Sequence, residues 1–237
     1  MALPRLNDVP EYELTVPSTG QSVGFRPFLV KEQKVLMIAY ESKDVKEILR
    51  AVMNCIQACV QNIDVNKLAT FDVDYIFTQI RSKSVGEKND VVMKCTTCGH
   101  ENQLTVNLDE IEIHLEKKDM VIELNDKYTL TMKYPTYTDI INDRVLLNDK
   151  RTQTEQLLAT LRNCMETIQT EEENILLKDE TVEEIDDFIS SLNDEQYGKI
   201  ADFVASVPTL SYTKKFNCKE CEKENELRVE GLQDFFS

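Results

Sequence analysis

The chain has 237 residues, 41% of them apolar and 30% charged, so it is long and apolar enough to bury a core and too apolar for a disordered polymer. Its 43 acidic and 27 basic residues leave a net charge of −16, which opposes binding to duplex DNA or to an anionic membrane, both of which need excess Lys and Arg. No tryptophan and only 6 glycines also argue against a base-stacking surface or a Gly-rich cofactor cradle.

The start, Met1-Ala2-Leu3-Pro4-Arg5, is not followed by an apolar run, so no signal peptide is expected. The longest apolar stretches, such as Val35 to Tyr40, fall far short of the roughly 20 residues a membrane span requires. A cytosolic site of synthesis follows, and there seven cysteines are better taken as thiols and metal ligands than as disulfides.

Residues 1–30 carry Pro4, Pro10, Pro17 and Gly20 and are expected to form an extended N-terminal arm. A hairpin turned at Pro17-Ser18-Thr19-Gly20 would join Tyr12–Val16 to Val23–Phe25. Such an arm cannot build its own core and must lie on its own chain, lie on a neighbour or move freely.

Residues 31–88 change to a helical period. Val35, Leu36, Ile38 and Ala39 suggest a short helix. A second carries Val45, Ile48, Leu49, Val52, Ile56, Cys59, Val60 and Ile63 at three- and four-residue steps. A third, over Asp72–Arg81, has acids in its first turn, where the helix dipole favours them.

Residues 89–134 hold the first cysteine pair, with strand alternation at Leu104-Thr105-Val106, and then a hairpin of Val121–Leu124 with Tyr128–Met132. Residues 135–208 are expected to be a helical insertion. Its predicted helices lie near Asp139–Leu147, Thr152–Gln169, Val182–Leu192 and Glu195–Ser206, with a charged loop at Glu171-Glu172-Glu173 and a capping box of Thr181 with Glu184. Residues 209–237 return as a strand, Tyr212–Phe216, leading into the second cysteine pair and a C-terminal tail.

The strongest signal is an internal repeat. Cys95-Thr96-Thr97-Cys98-Gly99-His100-Glu101-Asn102-Gln103-Leu104-Thr105-Val106 matches Cys218-Lys219-Glu220-Cys221-Glu222-Lys223-Glu224-Asn225-Glu226-Leu227-Arg228-Val229, with Cys, Cys, Glu, Asn, Leu and Val in the same places. Each copy reads strand, C-x-x-C, tight turn, strand, which is a zinc knuckle. One knuckle offers two thiolates and zinc takes four in a tetrahedron, so Cys95, Cys98, Cys218 and Cys221 are expected to share one structural zinc. Residues 99–217 would then interrupt a split ribbon, a far longer spacer than compact ribbons have.

Other uses of these residues fit less well. Neither C-x-x-C opens a helix in a βαβ unit, as a thioredoxin-like redox motif would. His100 could replace a cysteine ligand, but its repeat partner is Lys223, which cannot. His114 reads as an ordinary strand or loop residue, and Cys55, Cys59 and Cys164 as core thiols. Four thiolates leave no open coordination position, two histidines offer little general-base chemistry, and there is no P-loop and no G-x-G-x-x-G, so no enzyme is expected. The fold class expected is α+β and mainly helical: an extended arm, a helical bundle and a split zinc-ribbon-like β module of two C-x-x-C knuckles.

Several segments are distinctive: Pro17–Glu32, the helix with its Glu41-Ser42 step, Phe71-Asp72-Val73-Asp74-Tyr75-Ile76-Phe77, Ile80–Glu87 and the closing Gly231-Leu232-Gln233-Asp234-Phe235-Phe236. Together they resemble the baseplate hub proteins of T-even type contractile-tailed phages. The resemblance implies a structural or assembly protein working with other baseplate and hub proteins, in the virion tail or in the host cytoplasm during assembly. It carries over no catalytic residue, and a homo-oligomer is compatible with it. Phe25, Arg26 and Phe28 are the candidate partner-binding anchors, since aromatics and Arg concentrate interface energy; packing of both phenylalanines on the chain's own helices is the plain alternative. The competing function is a zinc-ribbon nucleic-acid-binding or regulatory module, which the charge opposes.

Overall fold

A computed structural model describes residues 9–230 except 109, 110, 112, 114, 116–118, 144 and 149. The closing segment 231–236 and His114, both singled out above, lie outside the described residues. The described chain is mixed α and β, with seven α-helices and four small antiparallel sheets. Its described residues divide into two compact units: those within 9–65, 71–113 and 209–230 form the first, and those within 66–70 and 115–208 the second.

The first unit begins with a hairpin of β1 (Tyr12–Thr15) and β2 (Ser22–Phe25), turned through Gly20 at φ 71°. The arm is fastened to its own chain. Leu14, Val16, Val23 and Phe25 are buried, Phe25 bridges to Val60, and the Arg26 N–H donates to the Cys59 carbonyl at 3.0 Å. The turn is anchored as well: the Ser18 N–H and hydroxyl both donate to the carboxylate of Asp72, which is fully buried.

Three helices follow: α1 (Val30–Ser42), α2 (Val45–Cys59) and α3 (Thr70–Val85). Asp44 caps α2 by accepting from the Lys46 and Glu47 N–H groups. The helical apolar period of α2 continues to Ile63, but the helix stops at Cys59 because Val60 turns extended to meet Phe25. Two further hairpins complete the unit, β3 (Lys88–Lys94) with β4 (Glu101–Asn107), and β9 (Ser211–Asn217) with β10 (Glu224–Glu230). Their apolar faces meet in one cluster of Val106, Leu108, Ile111, Leu210, Tyr212, Leu227 and Val229.

The second unit is a four-stranded sheet, order β5-β6-β7-β8, with helices packed on it. Its strands are β5 (Val121–Glu123), β6 (Thr129–Met132), β7 (Met165–Gln169) and β8 (Asn174–Leu176); its helices are α4 (Tyr137–Asn142), α5 (Gln153–Cys164), α6 (Val182–Ser190) and α7 (Asp194–Ala205). The core gathers Leu130, Met132, Leu161, Met165 and Ile168 with Ile185, Ile189, Ile200 and Phe203. The capping box of Thr181 and Glu184 is present, with reciprocal bonds between each side chain and the other residue's N–H.

Two elements differ from expectation here. The helix expected over 152–169 ends at Cys164, and its last five residues are the strand β7, paired to β6 on one side and β8 on the other. The helix expected near 139–147 ends at Asn142, because the Asp143 carboxylate accepts from the Val145 and Leu146 N–H groups and turns the chain.

Leu130 lies fully buried in β6, whereas Leu157 on α5 is 46% exposed. Leu130→Ala should therefore lower the unfolding free energy by about 2–5 kcal/mol, and Leu157→Ala should stay within about 0.5 kcal/mol of the parent. Urea unfolding of the two variants measures both.

Candidate metal centre

The cysteine pairs sit at the tips of two matching hairpins. Cys95 follows β3 and β4 begins at Glu101; Cys218 follows β9 and β10 begins at Glu224. Each six-residue tip closes in the same way. The Cys95 N–H donates to the His100 carbonyl at 2.8 Å and the Gly99 N–H to the Cys95 carbonyl at 3.0 Å. In the other tip the Cys218 N–H donates to Lys223 at 2.9 Å and the Glu222 N–H to Cys218 at 3.0 Å. The shared turn needs a left-handed residue at its fifth position, with φ 74° at Gly99 and 56° at Glu222. Only the first tip uses glycine there.

Beyond the tip, the repeat's period of two becomes a face. Asn102, Leu104 and Val106 alternate on β4, and Asn225, Leu227 and Val229 on β10, so each triplet points to one side of its strand. Leu227, Val229 and Val106 are buried in the cluster between the hairpins and Leu104 packs against it. Repeated Leu and Val are therefore the packing surface that sets the two tips opposite each other. Glu101 and Glu224, also repeated, lie outside and pair with Lys94 and Lys215 at 3.5 and 3.4 Å. Exposed pairs of that kind add little stability.

The outcome is that Cys95, Cys98, Cys218 and Cys221 come together, with their four Sγ atoms all within 4.8 Å of one another. Sγ of Cys95 lies 3.6 Å from that of Cys221, and Sγ of Cys98 lies 3.7 Å from that of Cys218. Such a cluster can hold one metal ion. The first cysteine of each knuckle is favoured as a thiolate: the Cys98 and Thr97 N–H groups aimed at Cys95 bring its thiol down to about 6, and the Cys221 N–H lowers Cys218. Cys98 moves the other way. Although the His100 N–H favours its thiolate, burial and hydrogen bonds with Cys221, Cys218 and Cys95 push it up to about 12. Four sulfurs this close repel as thiolates unless a cation lies among them.

The remaining candidates fall elsewhere. His100 is outside the cysteine cluster, and its carbonyl, not its ring, takes part in the tip. Cys55, Cys59 and Cys164 are buried in helices, Cys164 with its thiol pushed up to about 12 by burial. Phe25 is 3% exposed, its ring 5.5 Å from that of Tyr12. The Arg26 guanidinium donates to Glu32 and to the Pro27 and Ala58 carbonyls, all at 2.9 Å, and Phe28 is half-buried. Burial opposes the charge of Glu32, but Arg26 and the Leu29 N–H outweigh it and hold its carboxyl below the usual range.

Asn102 and Asn225 received no role from the sequence, although the repeat marks both. Each is buried, at 1% and 5% exposure, and each reaches across to the opposite cysteine pair.

Compared with known proteins, residues 9–237 match the family model described as T4 bacteriophage base plate protein. The chain belongs to that family. It is a protein of the phage tail baseplate, with a structural or assembly role. One relative, the "Baseplate hub assembly protein gp26" of Enterobacteria phage T4, is 26% identical over 227 residues, spanning 95% of this chain and 98% of the relative. No solved structure matches the chain. No helix among the described residues is long and apolar enough to cross a membrane.

The unequal fifth position gives a paired prediction. A methyl at Gly99 would meet open space, so Gly99→Ala carries only the left-handed backbone cost, about 1–2 kcal/mol. Glu222→Gly relieves the same strain and should be neutral or stabilising by up to about 1 kcal/mol. Thermal denaturation of the two variants should move in opposite directions from the parent, or leave the second unmoved.

Proposed function

We propose that this family member is a non-enzymatic protein of the baseplate hub, acting through contacts with other hub proteins and carrying one structural zinc on Cys95, Cys98, Cys218 and Cys221. The carrying observation is the cluster of four sulfurs. A tetrahedron with zinc–sulfur bonds of 2.3 Å has edges of about 3.8 Å. The two Sγ–Sγ separations of 3.6 and 3.7 Å fit that figure, and four sulfur donors with no carboxylate among them suit zinc rather than calcium or magnesium.

In this reading the two knuckles and the cluster beneath them are a split zinc ribbon. The metal neutralises thiolates, which the tips already favour at Cys95 and Cys218, and ties the hairpin of β9 and β10 to the hairpin of β3 and β4. Four protein ligands fill the coordination sphere, leaving no place for a substrate or an activated water. That is a stapling site. The hub assignment draws on the T4 relative, whose name places it in hub assembly. The net charge of −16 supports protein partners over nucleic acid.

Native mass spectrometry should find one zinc per chain, and Cys98→Ser or Cys221→Ser should lose it. Zinc at a free concentration a thousand times its Kd stabilises the native state by about 4 kcal/mol, so a chelator should lower the melting temperature visibly. Acid should release the metal, because protons compete for thiolates and affinity falls as pH falls. A protein that is metal-free as purified and unresponsive to added zinc overturns the zinc reading. For the hub assignment, crosslinking in infected cells followed by mass spectrometry should recover other hub proteins. Recovery of DNA, with retention on heparin at physiological salt, would favour the nucleic-acid module instead.

A further inference from the structure

We propose that Asn102 and Asn225 form a reciprocal latch: each docks its own knuckle onto the other and aims an amide N–H at the other knuckle's first cysteine sulfur. The Asn102 Oδ1 accepts the Lys219 N–H at 3.0 Å, while its Nδ2 donates to the His100 carbonyl at 3.0 Å and faces Cys218 Sγ at 3.7 Å. The Asn225 Oδ1 accepts the Thr96 N–H at 3.0 Å, and its Nδ2 donates to the Lys223 carbonyl at 2.8 Å and faces Cys95 Sγ at 3.5 Å. The two sets correspond bond for bond under exchange of the hairpins. Thr96 adds one bond of its own, its hydroxyl to Asn225 Oδ1 at 3.0 Å.

The amide orientations follow from the partners. Lys219 and Thr96 present N–H groups, which only donate, so Oδ1 must face them; His100 and Lys223 present carbonyls, which only accept, so Nδ2 must face those. The second amide hydrogen is then left for the sulfur. No other side chain of this size does both tasks. Aspartate keeps the acceptor but loses the donor and adds a negative charge beside thiolates, and leucine keeps the volume but leaves the Lys219 or Thr96 N–H without its acceptor.

Position explains the rest. Each Asn stands at the tip end of the inward face that continues with Leu and Val, so it extends the hairpin contact up to the metal ligands. The knuckles are thereby paired by the protein itself, and a metal arriving between them finds ligands already placed. The part of the proposal that concerns metal affinity rests on the zinc reading above; the docking part does not.

Two measurements on full-length protein separate them. In zinc-stripped wild type, amide exchange followed by NMR should show slow exchange at both Thr96 and Lys219. Asn102→Ala should free the Lys219 amide and spare Thr96, and Asn225→Ala should do the reverse, a crossed pattern that general destabilisation does not give. Chelator competition should show zinc affinity reduced about 10- to 100-fold in each variant, the usual effect of losing an outer-sphere partner. Asn102→Asp and Asn225→Asp should keep the amides protected yet still lose affinity, because the donor has gone and a negative charge stands in its place beside the sulfurs. If zinc-free wild type exchanges both amides at solvent-exposed rates, or if alanine variants keep protection and bind zinc within two-fold of wild type, the latch is wrong. If wild type takes up no zinc but the crossed pattern is present, the latch stands and the zinc reading falls.

Discussion

The arrangement of the two C-x-x-C hairpins depends on holding four sulfur atoms from two distant stretches of chain within 4.8 Å. Thiolates repel, and a lone pair of knuckle tips would drift apart. Three layers oppose this. Buried Leu227, Val229, Val106, Tyr212 and their neighbours draw the hairpins together without specifying direction. Asn102 and Asn225 then fix register, because hydrogen bonds of about 3 Å tolerate little sliding. A metal ion, in the proposed reading, removes the remaining repulsion. Each layer is more directional and shorter in range than the one beneath it.

Most of the described chain between the two tips is folded on its own. Residues 115–208 form most of a second compact unit with its own core. This lightens the entropy of bringing the pairs together. Closing a flexible loop costs more as it lengthens, by about 0.6 kcal/mol for each doubling. A folded unit within the loop removes much of that freedom, so the two hairpins can be far apart in sequence and still pair. Contact between residues so far apart in sequence is also slow to form.

What the sequence revealed follows from how local each signal is. The cysteine pairs were legible because C-x-x-C carries its chemistry within four residues and the copies share flanking residues. The two asparagines share the same repeat, yet their task depends on partners more than a hundred positions away, and an isolated Asn reads only as a turn former. β7 shows a different obstacle. Opposite the irregularity between Thr131 and Met132 in β6, Leu130 pairs with Ile168, Thr131 with Thr167, and Met132 with Met165. Glu166 is thus the extra residue, and buried Met165 and Ile168 fall three apart, continuing the spacing of Leu161 and Cys164 in α5. A bulge makes a strand look like the end of a helix. Phe25 and Arg26 illustrate a third case, because the residue types that anchor interfaces also anchor cores, and here β2 lies against the chain's own α2.

For a protein that works by contact, such stiffness has a use. Association loses free energy for every side chain and loop that must be ordered on docking, so a surface already fixed in place binds more tightly for the same area. The hairpins of β3–β4 and β9–β10 could not supply that stiffness singly, since isolated two-stranded hairpins are marginal in water. Joined through a common apolar cluster and a shared tip, each becomes the other's missing layer. In the proposed reading the net charge of −16 favours partners with basic or mixed faces, and the joined hairpins offer them a fixed shape. Family membership says where the protein acts; the paired tips explain how so small a β module can hold its form there.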